Sequence, residues 1–153
     1  MRLTAEPQGF TARRYRITSD GQLIVEIALP PFGPSTMSPL AGITYQMRRE
    51  GAGRAVFTMA AEGASAVARA TQRRFGSREY KVAVGLQRFT LRAESLMRSA
   101  YRLLQGERVV GFLRPGAALR RGVEAELPDD LSLEASVFLV WIVLFLWRGR
   151  RMI

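Results

Sequence analysis

The sequence predicts a mainly β fold, a closed or nearly closed antiparallel barrel of about 10–12 strands that encloses a hydrophobic C-terminal helix. Over residues 10–126, short β-like runs alternate with turn residues, and no stretch keeps helical periodicity for three turns. Residues 137–147 are instead apolar on every side, as in a helix surrounded by hydrophobic material. We expect one domain, residues 1–153, with strands over 10–127 and a central helix over 129–148.

The first predicted hairpin joins residues 11–18 to residues 22–29. Its turn contains Asp20 and Gly21, a pair that tolerates the positive φ of a tight hairpin turn. The second strand of this hairpin alternates, so one of its faces should meet the core. The residues expected on that face are Leu23, Val25, Ile27 and Leu29.

Eight further strands are predicted, at spacings near ten residues. They are residues 43–49, 54–60, 64–71, 80–84, 88–93, 100–104, 108–113 and 122–127. Residues 30–42 carry no charge and hold four of the seven prolines, so this segment is predicted to be a long loop.

The sequence Leu-Pro-Asp-Asp at residues 127–130 predicts a helix start, because an aspartate can accept the first unpaired backbone amides. As a helix, residues 137–147 span about 16 Å, and extension back to Leu131 gives about 25 Å, against roughly 30 Å of bilayer hydrocarbon. A spanning helix would also send the following arginines outward, against the positive-inside tendency. A buried helix is therefore favoured, and a single-pass C-terminal tail anchor is the alternative.

The chain contains neither Cys nor His, which removes the common nucleophile and base pairs and the usual zinc ligands. Its acidic residues concentrate at turns and in the helix-start segment, where capping explains them better than catalysis. No glycine-rich phosphate loop precedes a helix. The sequence therefore predicts a protein that is not an enzyme and that uses no cofactor and no metal.

The formal net charge is +10, and 23 residues are basic, of which only Lys81 is a lysine. Arginine forks onto phosphates and carboxylates, so the expected partner is an anionic lipid headgroup or an acidic protein. Nucleic acid is a less favoured partner, because it rests on charge alone. The opposing interpretation is a charge that only keeps the protein soluble.

Pairs and triplets of arginine are the candidate anion- or lipid-binding residues. They are Arg48, Arg49, Arg73, Arg74, Arg78, Arg120 and Arg121. The strongest group lies at residues 73–78, where three arginines flank Phe75 in a glycine turn that could lie against lipid headgroups. If two or three groups converge, they form an anion-binding patch; otherwise each is a solvated strand end.

The order of features resembles the tubby-like superfamily, in particular its LURP-one-related and phospholipid-scramblase-like branch and the bacterial relatives of that branch. The resemblance is carried by Phe-Thr-Leu-Arg-Ala at 89–93, Gly-Glu-Arg-Val-Val-Gly at 106–111 and Glu-Leu-Pro-Asp-Asp-Leu at 126–131, followed by the apolar helix. It implies a twelve-stranded barrel threaded by the helix. Tubby proteins bind phosphoinositides and scramblases act at membranes, but no motif for a phosphoinositide site, palmitoylation or calcium matches, so no site residue carries over.

The leading hypothesis is a non-enzymatic binding module that associates peripherally with anionic membranes, or with an acidic partner, through its arginine surface. Residues 1–10 contain no apolar run of signal-peptide length. The expected location is therefore cytoplasmic, with peripheral association at the inner face of the membrane.

Overall fold

The computed structural model describes residues 1–9, 13–94, 100–116 and 122–151, with side chains as far as Arg148. Twelve strands form one closed antiparallel barrel in which each strand pairs with its neighbours in the chain and β1 pairs with β12. The strands are β1 (Arg2–Pro7), β2 (Arg14–Ser19), β3 (Gln22–Ala28), β4 (Ser35–Met37), β5 (Tyr45–Glu50), β6 (Val56–Ala61), β7 (Ala66–Gln72), β8 (Glu79–Val84), β9 (Gln87–Ala93), β10 (Tyr101–Gln105), β11 (Arg108–Pro115) and β12 (Val123–Glu126). Closure pairs every strand on both edges.

The barrel encloses helix α1 (Leu133–Arg151). From Ala135 to Leu144 every helical residue is at most 2% exposed, so the protein covers this segment on all its sides. Trp141 stacks on Phe138 with 5.9 Å between ring centroids and meets the edge of Phe57 on β6 at 5.6 Å. The prediction of a buried central helix is confirmed.

The start of the helix differs from the prediction. Residues 128–131 form a turn, and Ser132 caps the helix because its hydroxyl accepts a hydrogen bond from the Ala135 amide at 3.3 Å. The two aspartates that precede it are exposed and lie outside the helix. Their charge still lies near the amino-terminal end of the helix, where it interacts favourably with the helix dipole.

All ten predicted strands are present, although residues 11 and 12 of the first lie outside the described residues, and the structure adds two strands that were not predicted. The first, β1, lies before residue 10 and closes the barrel against β12. The second, β4, lies in the segment predicted to be loop and is only three residues long. It fits between Pro34 and Pro39 without containing either, and it pairs with two residues on each neighbour.

One predicted core residue is wrong. Leu23 is 48% exposed, whereas Val25, Ile27 and Leu29 are buried as expected. The register between β2 and β3 shifts between Ile17 and Thr18. Such a bulge reverses the alternation of side chains beyond it. The turn itself is as predicted, since Asp20 and Gly21 have φ values of 51° and 79°.

Candidate functional site: the arginine rim

The antiparallel order of the barrel sorts the connections between strands into two rims. Connections after odd-numbered strands lie at one rim, and connections after even-numbered strands lie at the other. The helix starts at the second rim, near β1, where the Leu127 amide donates to the Met1 carbonyl at 2.8 Å. It ends at the first rim, where Arg148 Nη1 donates to the carbonyl of Pro30 at 2.7 Å.

The rim at the end of the helix is basic, and we call it the arginine rim. Among the described residues of its connections, the charged ones are Arg13, Arg54, Arg73, Arg74, Arg78 and a single acid, Glu94, and Arg148 lies near the helix end. The acids Glu6, Glu50, Glu79 and Glu124 lie at the strand ends beside these connections. The predicted candidates Arg120 and Arg121 belong to the connection between β11 and β12 and lie outside the described residues.

The opposite rim is acidic. Its six connections, all described, contain no Lys or Arg. Their charged side chains are Asp20, Glu62, Glu107, Asp129 and Asp130. Basic residues approach this acidic rim only at the ends of strands, where Arg2, Arg88 and Arg108 lie.

Two phenylalanines project from the arginine rim. Phe32, in the connection between β3 and β4, is 90% exposed, and Phe75, in the connection between β7 and β8, is 81% exposed. Gly76 follows with φ +81°, which lets the chain turn immediately after the exposed ring. Both exposed rings therefore lie on the same rim as the arginines.

The hairpin at residues 73–78 contains arginines in different environments. Arg73 Nη1 lies 3.2 Å from Glu79 Oε2, and the other oxygen of Glu79 accepts from Arg92 Nε at 2.7 Å. The hydrogen bond from Arg92 and the charges of Arg92 and Arg73 lower the pKa of the buried Glu79 carboxyl, although burial opposes them. Arg74, by contrast, is exposed and has no carboxylate partner among the described residues.

The fold separates the adjacent candidates Arg48 and Arg49. On β5, Tyr45 and Met47 point into the barrel and Arg48 points outward. Arg49 follows the inward set, because it pairs with the buried Phe57 on β6. It therefore lies at the mouth of the barrel, on the arginine rim, whereas Arg48 lies on the outer wall.

Arg48 lines an outer groove of about 520 Å³ across β5, β6 and β7. In register, Arg48 is opposite Thr58, and Thr58 is opposite Arg69, so the two arginines flank one hydroxyl. Glu50 and Glu62 also line this groove and balance its charge.

Arg49 lines a cleft of about 360 Å³ at the mouth of the barrel, which we call the mouth cleft. Arg148, Phe145 and Phe32 line it together with the neighbouring residues Pro30, Pro31 and Gly33, and none of these residues is acidic. Arg148 is not a predicted site residue, because the sequence indicates it only as one of the arginines (Arg148, Arg150 and Arg151) that follow the apolar segment. The sequence feature that could have predicted this cleft is the alternation of β5, which places Arg49 on the inward-facing side of the strand.

Among the described residues, no helix is both long enough and apolar enough to cross a membrane. The same ranges contain no cluster of three or more acidic side chains that could hold a metal ion.

No protein-family model, curated protein or solved structure matches the chain. Membership of the tubby-like superfamily therefore stays a prediction that rests on the residues quoted above.

Proposed function

We propose that the protein is a non-enzymatic module that binds peripherally to anionic membranes through its arginine rim, at the cytoplasmic face. The observation that carries the proposal is the sorting of charge between the described connections: those of one rim contain five arginines and one acid, and those of the other contain five acids and no arginine. A rim is a ring of turns at one end of a barrel, so its side chains can meet a flat surface together.

Electrostatics supports this orientation. Each arginine near an anionic leaflet contributes about 1 kcal/mol, and the effect fades beyond about 8 Å at physiological salt. With the arginine rim facing the membrane, the acidic rim is held on the far side of the barrel. Leu86 is also fully exposed, but it lies on the acidic rim, which an anionic surface repels.

The exposed rings add an apolar contribution. Full burial of a phenylalanine side chain contributes about 1.5–3 kcal/mol, and partial insertion among headgroups contributes less. Phe32 and Phe75 project from the same rim, so both can insert without reorienting the barrel.

Vesicle sedimentation tests the proposal with two matched double variants. Arg54→Gln with Arg74→Gln removes two charges from the arginine rim, and Arg88→Gln with Arg108→Gln removes two charges near the acidic rim. The wild type should bind vesicles made of equal parts phosphatidylcholine and phosphatidylglycerol but not phosphatidylcholine alone, and added salt should weaken the binding. The first pair should weaken binding roughly 30-fold, and the second pair should change it little.

Equal loss in both double variants, or equal binding to neutral and anionic vesicles, would contradict the proposal. A DNA shift assay at the same salt concentrations separates the electrostatic alternative. Binding to DNA without binding to anionic vesicles would assign the arginine rim to nucleic acid instead.

A further inference from the structure

The mouth cleft combines two arginines with an apolar wall at the point where the helix leaves the barrel. We propose that it holds the phosphate group of a single lipid molecule between Arg49 and Arg148, with the glycerol and upper acyl chain along Phe32 and Phe145. This inference rests on the proposed function and deepens it, because it adds a defined subsite for one lipid to a general attraction between charges.

The two guanidinium groups are oriented before any ligand binds. Arg148 Nη1 donates to the carbonyl of Pro30 at 2.7 Å, and Arg49 Nη1 donates to the carbonyl of Gly51 at 2.9 Å. A guanidinium has five N–H donors, so each arginine keeps donors for a phosphate. Because their side chains are already held by the backbone, less conformational entropy is lost on binding.

The charge balance of the mouth cleft favours an anion. Among the described residues, neither arginine has a carboxylate partner and no acid lines the cleft. The outer groove is a contrast within the same molecule, because there Glu50 and Glu62 accompany Arg48 and Arg69. A phosphate entering the outer groove would meet nearby carboxylates, whereas one entering the mouth cleft would not.

The apolar wall distinguishes a lipid from free phosphate. Phe145 is half-buried and packs against two rings of the barrel interior, with its ring centroid 5.5 Å from that of Phe57 and 5.4 Å from that of Trp141. Phe32 is almost fully exposed on the other side. Inorganic phosphate would leave that ring in water, whereas a lipid would cover it, and covering apolar surface stabilises the complex.

Isothermal titration with three soluble probes tests this subsite: dihexanoyl phosphatidic acid, dihexanoyl phosphatidylcholine and inorganic phosphate. The wild type should bind phosphatidic acid most tightly. Arg49→Gln should weaken that binding at least about tenfold, since hydrogen bonds to a charged group are lost. Arg48→Gln, which makes the same change one residue away on the outer wall, should alter it by less than about twofold.

Phe32→Ala provides a second variant whose folding is not in question, because this ring is 90% exposed. It should weaken phosphatidic acid binding and leave inorganic phosphate binding unchanged. If circular dichroism shows that Arg49→Gln does not fold, Arg49→Lys replaces it. A lysine cannot form the bidentate hydrogen bonds of a guanidinium, so this variant should still bind more weakly.

Any of three results would overturn the inference: no binding of phosphatidic acid by the wild type, equal losses in Arg48→Gln and Arg49→Gln, or equal affinity for phosphatidic acid and inorganic phosphate. Vesicle sedimentation reports separately on the proposed function. Vesicle binding without binding of the soluble lipid rejects only the subsite. Binding of the soluble lipid without vesicle binding rejects only the membrane module.

Discussion

The two rims of the barrel differ in charge although the chain visits them in turn. The acidic rim contains aspartates and glutamates near the start of the helix, and the arginine rim surrounds the end of the helix. Each sign of charge lies at the end of the helix dipole that it stabilises. An antiparallel barrel can thus turn a charge alternation along the sequence into a separation in space, and the same separation stabilises the helix and creates a surface for anions.

A substitution in the interior should destabilise the whole barrel and therefore both rims. Trp141 is fully buried among Phe57, Phe138 and Phe145, so Trp141→Ala should lower the free energy of unfolding by about 3–5 kcal/mol. Chemical denaturation measures this loss. Trp141→Phe should cost less, because it keeps a ring and removes an indole N–H that has no hydrogen-bond partner among the described residues.

Phe75→Ala is the control on the arginine rim, and it should change stability by less than about 0.5 kcal/mol because its ring is exposed. A loss below about 1 kcal/mol for Trp141→Ala would contradict the helix-filled barrel.

A smaller loss of stability is expected when the carboxylate that pairs with Arg73 is removed, and this loss distinguishes the paired Arg73 from Arg74, which has no carboxylate partner among the described residues. Glu79→Gln removes the carboxylate that binds Arg73 and Arg92, and it should cost about 1.5–3 kcal/mol of stability near neutral pH. The same variant should bind anionic vesicles slightly more tightly, because Arg73 is no longer neutralised. Glu62→Gln, an equal change of charge on the acidic rim, is the matched control and should alter stability little.

The pH dependence of that effect has a defined sign. The pKa of Glu79 is lower in the folded protein than in the unfolded chain, so its contribution is present above the unfolded value, about 4.3. It disappears as the pH falls through the folded value. The stability difference between wild type and Glu79→Gln should therefore be largest near neutrality and shrink below about pH 4. A difference that grows on acidification would contradict the ion pair.

Most of the barrel could be predicted because its strands carry strong local signals. The alternation of β3 and its Asp-Gly turn need no tertiary information, and neither does the apolar helix. The exposure of Leu23 could not be predicted, since the bulge beside it depends on pairing with β2.

The position of Phe32 and Phe75 on the same rim could not be predicted because it depends on one short strand. Residues 30–42 read as a single loop, which would put Phe32 and Phe75 at opposite ends of the barrel. The three residues of β4 add one crossing of the barrel and bring both rings to the same rim. Such a strand has almost no signal of its own, because its neighbours on both sides provide its hydrogen bonds.

The adjacent residues Arg48 and Arg49 illustrate a second limit. In the sequence they form one basic pair, but a strand sends neighbours to opposite faces, so one lies on the outer wall and the other in the mouth cleft. Alternation predicts that separation, yet only the closed barrel shows that Arg148 from the helix lines the same cleft as Arg49.

The orientation of the barrel on a membrane tests the central claim most directly, and the absence of cysteine allows a single label at each rim. Ala52→Cys places an environment-sensitive fluorophore in an exposed turn of the arginine rim, and Ser65→Cys places it in an exposed turn of the acidic rim. With phosphatidylglycerol vesicles that carry a nitroxide lipid, the label at residue 52 should shift to the blue and be quenched, while the label at residue 65 should not change. Equal quenching at both rims, or quenching at residue 65 alone, would contradict the account.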